Sequence, residues 1–156
     1  MTNESPETEE SVAPGFGAVP RAMQFPHGAD IGVRGIGPTR EVAFEQAAVA
    51  LAAAVTDPGT VRLDDAIPIQ CEASDDRILL ADWLNAIIYE MAVHRMVFGR
   101  FRVVLNGHRL QGDAWGERVD PLRHAPAVEP KGATYTAIAV KRESDGSWVA
   151  ECVVDV

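Results

Sequence analysis

The sequence predicts an α+β fold, a mainly antiparallel sheet with two helices in the order ββαβα followed by an antiparallel meander. Three observations predict it. Asn106-Gly107 and Asp145-Gly146 each separate two apolar runs, and such dipeptides are the strongest short-range hairpin signals. Two longer stretches repeat apolar residues at helical spacing behind capping residues. Strands and helices do not alternate in a βαβ rhythm, which argues for segregated rather than doubly wound architecture.

Each element follows in order. Residues 1–20 hold Glu4, Glu7, Glu9 and Glu10 among Ser, Thr, Pro and Gly, with no basic residue. Such a composition buries too little apolar surface to offset the entropy of ordering. A disordered acidic leader is expected there, with order beginning near Ala22 and one domain over residues 21–156. Ala22–Phe25 is a short extended run ended by Pro26, and Ile31 and Val33 alternate with polar or small residues. These read as two strands around the turn Pro26-His27-Gly28-Ala29-Asp30. Thr39 caps the first helix, whose stripe is Phe44, Ala47, Ala48, Leu51 and Val55. Its many alanines leave room for something large to pack closely. Asp57-Pro58-Gly59 ends it. Ile67, Ile69 and Cys71 form a strand in which Pro68 requires an edge or a bulge. Ser74 caps the second helix, with Asp75 and Asp76 complementing its dipole. Its stripe is Leu79, Leu80, Trp83, Ile87, Ile88 and Met91. Phe98, Phe101, Val103 and Leu105 lead to the Asn106-Gly107 turn, and the return strand runs from about His108 to Trp115. A Pro-rich loop over residues 118–130 is long enough to suggest function. Thr134, Thr136, Ile138 and Val140 share one side of the next strand, and Asp145-Gly146 turns it into the last.

The 156 residues fit one domain with one core. A net charge of −9 excludes tracking of a phosphate backbone, which needs clustered Lys and Arg. It suits a protein partner with a basic face, or a metal. Cys71 and Cys152 fit no metal-binding spacing and are read as reduced, small core residues of a cytoplasmic protein. No run nears the ~18 apolar residues that span a membrane, and the acidic N-terminus is not a secretory signal.

No phosphate-binding glycine motif, nucleophile elbow or HExxH is present. The final residues Trp148–Val156 read as a strand held in a sheet. They set the side chain of Asp155 beside the α-carboxylate of Val156. Either a divalent cation or the capping of an exposed edge strand accounts for that pair. His27 and Asp30 share a turn, where Asp commonly bonds its own backbone. His94, His108 and His124 share no spacing, and a solvent-exposed position is expected for each. Trp83 is expected in the core. Lys131 reads as an exposed lysine near Glu129.

Taken together, several segments resemble the archease family, in order and from about Phe25 to Val156. They are His27-Gly-Ala-Asp30-Ile-Gly, Ala43-Phe44-Glu45-Gln46-Ala47, Thr56-Asp57, Trp83-Leu84-Asn85, Ala114-Trp115-Gly116-Glu117, Lys131-Gly-Ala-Thr-Tyr135 and Val154-Asp155-Val156. The resemblance implies a small α+β accessory protein, itself no enzyme. Its partner would be an RtcB-type RNA ligase, whose guanylylation and turnover it promotes in tRNA splicing or RNA repair. It implies a divalent cation (Ca, Mg or Mn) held by Asp30, Asp155 and the carboxylate of Val156, with Lys131 and His27 serving partner contact and activation. It implies neither direct nucleic-acid binding nor a membrane. The sequence departs from the family at Gly28, where Thr is usual, at Ala86, where Glu commonly follows Trp-Leu-Asn, and at Thr136, where His is frequent. Two other readings stand beside it. One is a metal-dependent hydrolase with His27 or His124 as base, and the other a metal-free chaperone-like binding module.

Overall fold

The two long helices are apolar around more than half their circumference, and that decides the architecture. Buried positions on α1 (Arg40–Val55) include Ala43, Phe44, Ala47, Ala50 and Ala52. Those on α2 (Asp76–Val93) include Leu79, Leu80, Ala81, Trp83 and Ile88. At about 3.6 residues per turn these sets cover more than a single stripe. A helix apolar on so wide an arc must be covered on two sides. In the computed structural model, which describes residues 18–156, two sheets supply that cover. The expected leader falls on residues 1–20, of which 1–17 lie outside the described residues.

The first sheet has the order β1-β2-β7-β6, from strands Arg21–His27, Asp30–Gly37, Trp148–Asp155 and Gly132–Arg142. The second has the order β3-β5-β4, from strands Asp65–Glu72, Arg109–Arg118 and Met96–Asn106. Every pairing is antiparallel. Helix α1 packs on β1, β2 and β7 on one side and on β4 on the other, while α2 lies between β6 and β3. The α+β class and element order therefore hold, and the meander divides. Its first hairpin joins β3, and its second joins β2.

The small residues of α1 set the spacing of the layers. A Cβ built on Gly35 of β2 would stand 2.1 Å from the Ala43 carbonyl oxygen and 2.2 Å from the Ala47 backbone nitrogen. Strand and helix thus meet backbone to backbone, which answers why that helix face is so rich in alanine. On the other side, Trp83 is fully buried, donates its indole N–H to the Phe44 carbonyl at 3.1 Å and meets Phe101 edge-on.

Local expectations were met or corrected for identifiable reasons. Thr39 caps α1 as expected, accepting from the Val42 N–H. Asp75 rather than Ser74 caps α2, because its carboxylate reaches the Ile78 N–H at 3.0 Å and begins the helix one residue later. Pro68 lies on the edge strand β3, as its missing N–H requires. Strand β1 continues through Pro26 to His27, since an edge strand can leave that N–H position unpaired. The turn shortens to Gly28-Ala29, with His27 opposite Asp30.

Thr134, Thr136, Ile138 and Val140 do not share one side of β6. A bulge between Thr134 and Ala139 resets the alternation, so that Ala133, Ile138 and Val140 pack on the core while Tyr135 is 62% exposed. The loop after β5 carries a short helix α3 (Pro121–His124) capped by Asp120. Both cysteines are free and lie on different sheets, and burial pushes each thiol up to about 11.

Candidate functional site: an acidic rung at the end of the first sheet

In β7, Ala150, Cys152 and Val154 pack in the core, and in β2 Val33 does so with Ile31 against it. Strand alternation then turns Asp30, Gly32 and Arg34, and with them Glu151, Val153 and Asp155, to the face away from the helices. The β2–β7 register pairs Arg34 with Glu151, Gly32 with Val153 and Ile31 with Val154. Asp30 opens β2 and Asp155 closes β7, each one residue beyond the paired Ile31 and Val154, so both lie at the same end of the sheet. Two strands thus share a ladder whose rungs differ in sign. At one rung Arg34 and Glu151 form an ion pair at 2.8 Å. At that end of the sheet two carboxylates sit on adjacent strands, where like charges repel without a counter-charge. Among the described residues neither carboxylate has a side-chain hydrogen bond or ion pair.

The neighbouring strands bring the other expected residues to this same end. Gly132 pairs with Asp155, and the Lys131 N–H donates to the Asp155 carbonyl at 2.8 Å, leaving the lysine side chain exposed. The Asn85 side chain on α2 accepts from the Ala133 N–H at 2.8 Å and holds the start of β6 in place. His27 is exposed on β1, across the hairpin from Asp30. Among the described residues no three His, Cys, Asp or Glu side chains cluster to hold a metal. A cation there would take its protein oxygens from Asp30, Asp155 and the carboxylate of Val156, the next residue in the chain. That all-oxygen set fits a hard divalent cation rather than zinc.

Gly28 opens the two-residue turn with φ +61, a left-handed conformation costly to any residue with a Cβ. Nothing lies within 4 Å of a Cβ built there, so backbone conformation rather than space decides the residue. Restoring the family's residue with Gly28→Thr is expected to cost about 1–2 kcal/mol, read as a lower urea midpoint. An unchanged midpoint would show that the turn relaxes.

A second polar centre was not expected. His124 is 3% exposed rather than solvent-facing. Its Nδ1 accepts from the Asp120 N–H at 2.8 Å, so its Nε2 carries the proton donated to Glu117 at 3.0 Å. Glu117 also accepts two bonds from the Arg123 guanidinium and one from the Arg62 N–H. Those donors, Arg123 foremost, hold its carboxyl at about 2, well below its ordinary 4.5. The Thr56 hydroxyl donates to the His124 carbonyl at 2.6 Å, closing the cluster onto α1. With both ring nitrogens engaged, His124 is no general base. The cluster ties down the loop that delivers Lys131. Its one visible signal in the sequence was the segment Ala114–Glu117, whose acid the fold buries.

The chain was then compared with known proteins. A model of the archease protein family matches residues 23–156. Protein archease of Pyrococcus furiosus is 36% identical over 136 residues, covering 85% of this chain and 96% of that protein. Protein archease of Methanopyrus kandleri is 37% identical over 137 residues, covering 85% and 97%. The solution structure of Methanobacterium thermoautotrophicum protein 1598 superposes with a TM-score of 0.76 at 26% identity, covering 86% of this chain and 98% of that one. No helix among the described residues is long and apolar enough to cross a membrane. The family match, the relatives and the fold likeness agree, and the chain belongs to the archease family.

Proposed function

We propose that this chain is a cytoplasmic accessory protein of an RtcB-type RNA ligase, promoting the ligase's guanylylation and turnover in tRNA splicing or RNA repair without catalysing the joining itself. The observation that carries the reading is the terminal rung of the first sheet. Asp30 and Asp155 lie at one end of adjacent strands, and the N–H of Lys131, just before β6, is bonded to the Asp155 carbonyl. Asp30, Asp155 and the carboxylate of Val156 would hold a divalent cation, which supplies positive charge at the protein surface where a partner's phosphate groups can reach it. The chain's own residues do the rest. β2 and β7, paired antiparallel, would bring the two side chains to the same end of the sheet. The Lys131 N–H orients the Asp155 main chain, and the Lys131 ammonium adds a second positive charge. The net charge of −9 directs docking toward a basic RNA-processing enzyme rather than RNA.

The test uses the conservative variants Asp30→Asn and Asp155→Asn. Each removes one charge and keeps the shape of the rung. Calorimetric titration with Mn²⁺, Mg²⁺ and Ca²⁺ is expected to show cation binding to the wild-type chain and at least about ten-fold weaker binding to either variant. Ligase guanylylation in the presence of each variant is expected to fall to the level without accessory protein. Full stimulation by both variants would remove the acidic rung from the function. Because removing the like-charge contact relieves repulsion, both variants should melt no lower than wild type without added metal.

A further inference from the structure

Lys131 immediately precedes β6, so the way that strand is held decides where the lysine stands. β6 is two pieces joined by a bulge. Gly132, Ala133 and Thr134 pair with Asp155, Val154 and Val153, and pairing resumes only at Ala139 with Glu151. Four residues of β6, Tyr135 to Ile138, thus stand against Cys152 alone. Ala137 among them has a φ of 55, in the left-handed region that is costly to a residue with a Cβ. A bulge interrupts the ladder and leaves its extra residues unpaired. The second piece, Ala139–Arg142, therefore lends the first little support.

Three further bonds hold the first piece to β7. The Lys131 N–H donates to the Asp155 carbonyl at 2.8 Å, and the Thr134 hydroxyl to the Val153 carbonyl at 3.0 Å. The Cys152 thiol donates to the Thr134 carbonyl at 3.3 Å. On its other side β6 is the edge of the sheet, with no strand to accept an N–H. There the Ala133 N–H goes to the Asn85 side-chain oxygen on α2 at 2.8 Å. Among the described residues this is the one hydrogen bond that ties the segment to a helix. Leaving a half-buried N–H without a partner is costlier than making an ordinary bond is favourable. The anchor is firm, because Trp83 and Leu84 beside Asn85 are fully buried. Asparagine is a poor residue for a helix interior, and here its amide reaches out of the helix to the strand.

We infer that Asn85 is the positioning residue for Lys131. Its amide oxygen holds the Gly132–Thr134 segment on the side that no strand covers, and so fixes the backbone from which the lysine projects. The inference rests on the accessory reading above in giving Lys131 a task.

Two variants test it. Asn85→Leu removes the acceptor at similar size, and leucine's better helix propensity keeps α2 stable. Asn85→Asp keeps an acceptor oxygen in the same place. Amide hydrogen exchange is followed by NMR in the full chain and both variants. Guanylylation of an RtcB-type ligase and Mn²⁺ titration are measured with the same proteins. In Asn85→Leu the Lys131–Thr134 amides are expected to exchange about two- to ten-fold faster, the scale of one lost hydrogen bond. Those of Ala139–Arg142 keep the wild-type rate. Stimulation of guanylylation falls several-fold, and Mn²⁺ affinity is unchanged. Asn85→Asp returns both exchange and stimulation to the wild-type level. Wild-type exchange and stimulation in Asn85→Leu, alongside loss of stimulation in Asp155→Asn, overturns the inference and leaves the functional reading intact. Faster exchange along the whole of β6 and β7, or no recovery in Asn85→Asp, makes Asn85 a general structural contact and also overturns it. If the wild-type chain fails to stimulate the ligase, the functional reading falls, and the exchange pattern alone decides the role of Asn85.

Discussion

Gly35→Ala is expected to be the most damaging single substitution in the first sheet. The new methyl group would meet the Ala43 carbonyl oxygen and the Ala47 nitrogen at 2.1 and 2.2 Å, inside any real contact distance. Both obstacles are backbone, so no rotamer change relieves them. Ala43 and Ala47 are fully buried, and α1 is packed between two sheets, so the helix cannot withdraw without opening the second interface. Ordinary overpacking costs about 1–3 kcal/mol, and this case lies at or above the upper end. Against a typical total stability of roughly 5–15 kcal/mol, soluble yield falls and any folded protein melts at least about 6 °C lower. Thermal unfolding followed by circular dichroism checks it. A melting temperature within 2–3 °C of wild type would mean that β2 and α1 slide apart at little cost, contrary to the layer spacing described. Gly28→Thr, by contrast, is limited by backbone conformation alone, and the two variants separate crowding from φ preference.

Glu117→Gln is expected to have the next largest effect, with a pH signature. The carboxylate takes hydrogen bonds from Arg123, Arg62 and His124. A glutamine presents an amide N–H₂ to donors and leaves the Arg123 charge without its partner. The folded-state carboxyl lies at about 2 against an ordinary 4.5. A depressed carboxyl stabilises the folded state above its unfolded value, and that contribution is lost as pH falls toward the folded value. Wild type is therefore expected to exceed the variant in denaturation midpoint at neutral pH. The gap should shrink below pH 4.5 and nearly close toward pH 2. A gap of constant size across that range would show that the variant acts through packing rather than charge. Loosening of the loop also predicts weaker support for Lys131, so under the proposed function ligase stimulation should fall while the proposed cation binding at Asp30 and Asp155 is unchanged.

The two centres divide the work. The buried Glu117–His124–Arg123 cluster carries a satisfied charge, which holds a loop. The rung at Asp30 and Asp155 carries an unsatisfied one at the surface, open to an ion or a partner. Buried charges persist when paired, whereas like charges on adjacent strands repel unless a counter-charge offsets them.

How much of this was legible in the chain depended on the distance over which each signal acts. Helices, hairpin turns, the Thr39 cap and the edge position of Pro68 are written in residues a few places apart, and they could be read before any fold was known. So could Asp30, Asp155, Val156, Lys131 and His27 as candidates, because the family's short motifs stand in order along the sequence. What stayed hidden was every choice of neighbour. Nothing local states that the hairpin after Asn106 joins β3 while the hairpin after Asp145 joins β2, since both offer the same alternating pattern. The bulge after Thr134 shifts the inward side of β6 without changing its composition. His124 looked exposed among prolines, and its burial follows from Glu117 and Thr56, which other elements deliver. That Asp30 and Asp155 come to the same end of one sheet is likewise a matter of register between strands more than a hundred residues apart in sequence. Periodicity and capping are properties of a segment. Register, layer order and the pairing of charges arise only when burial of both faces of α1 and α2 selects which strands lie side by side.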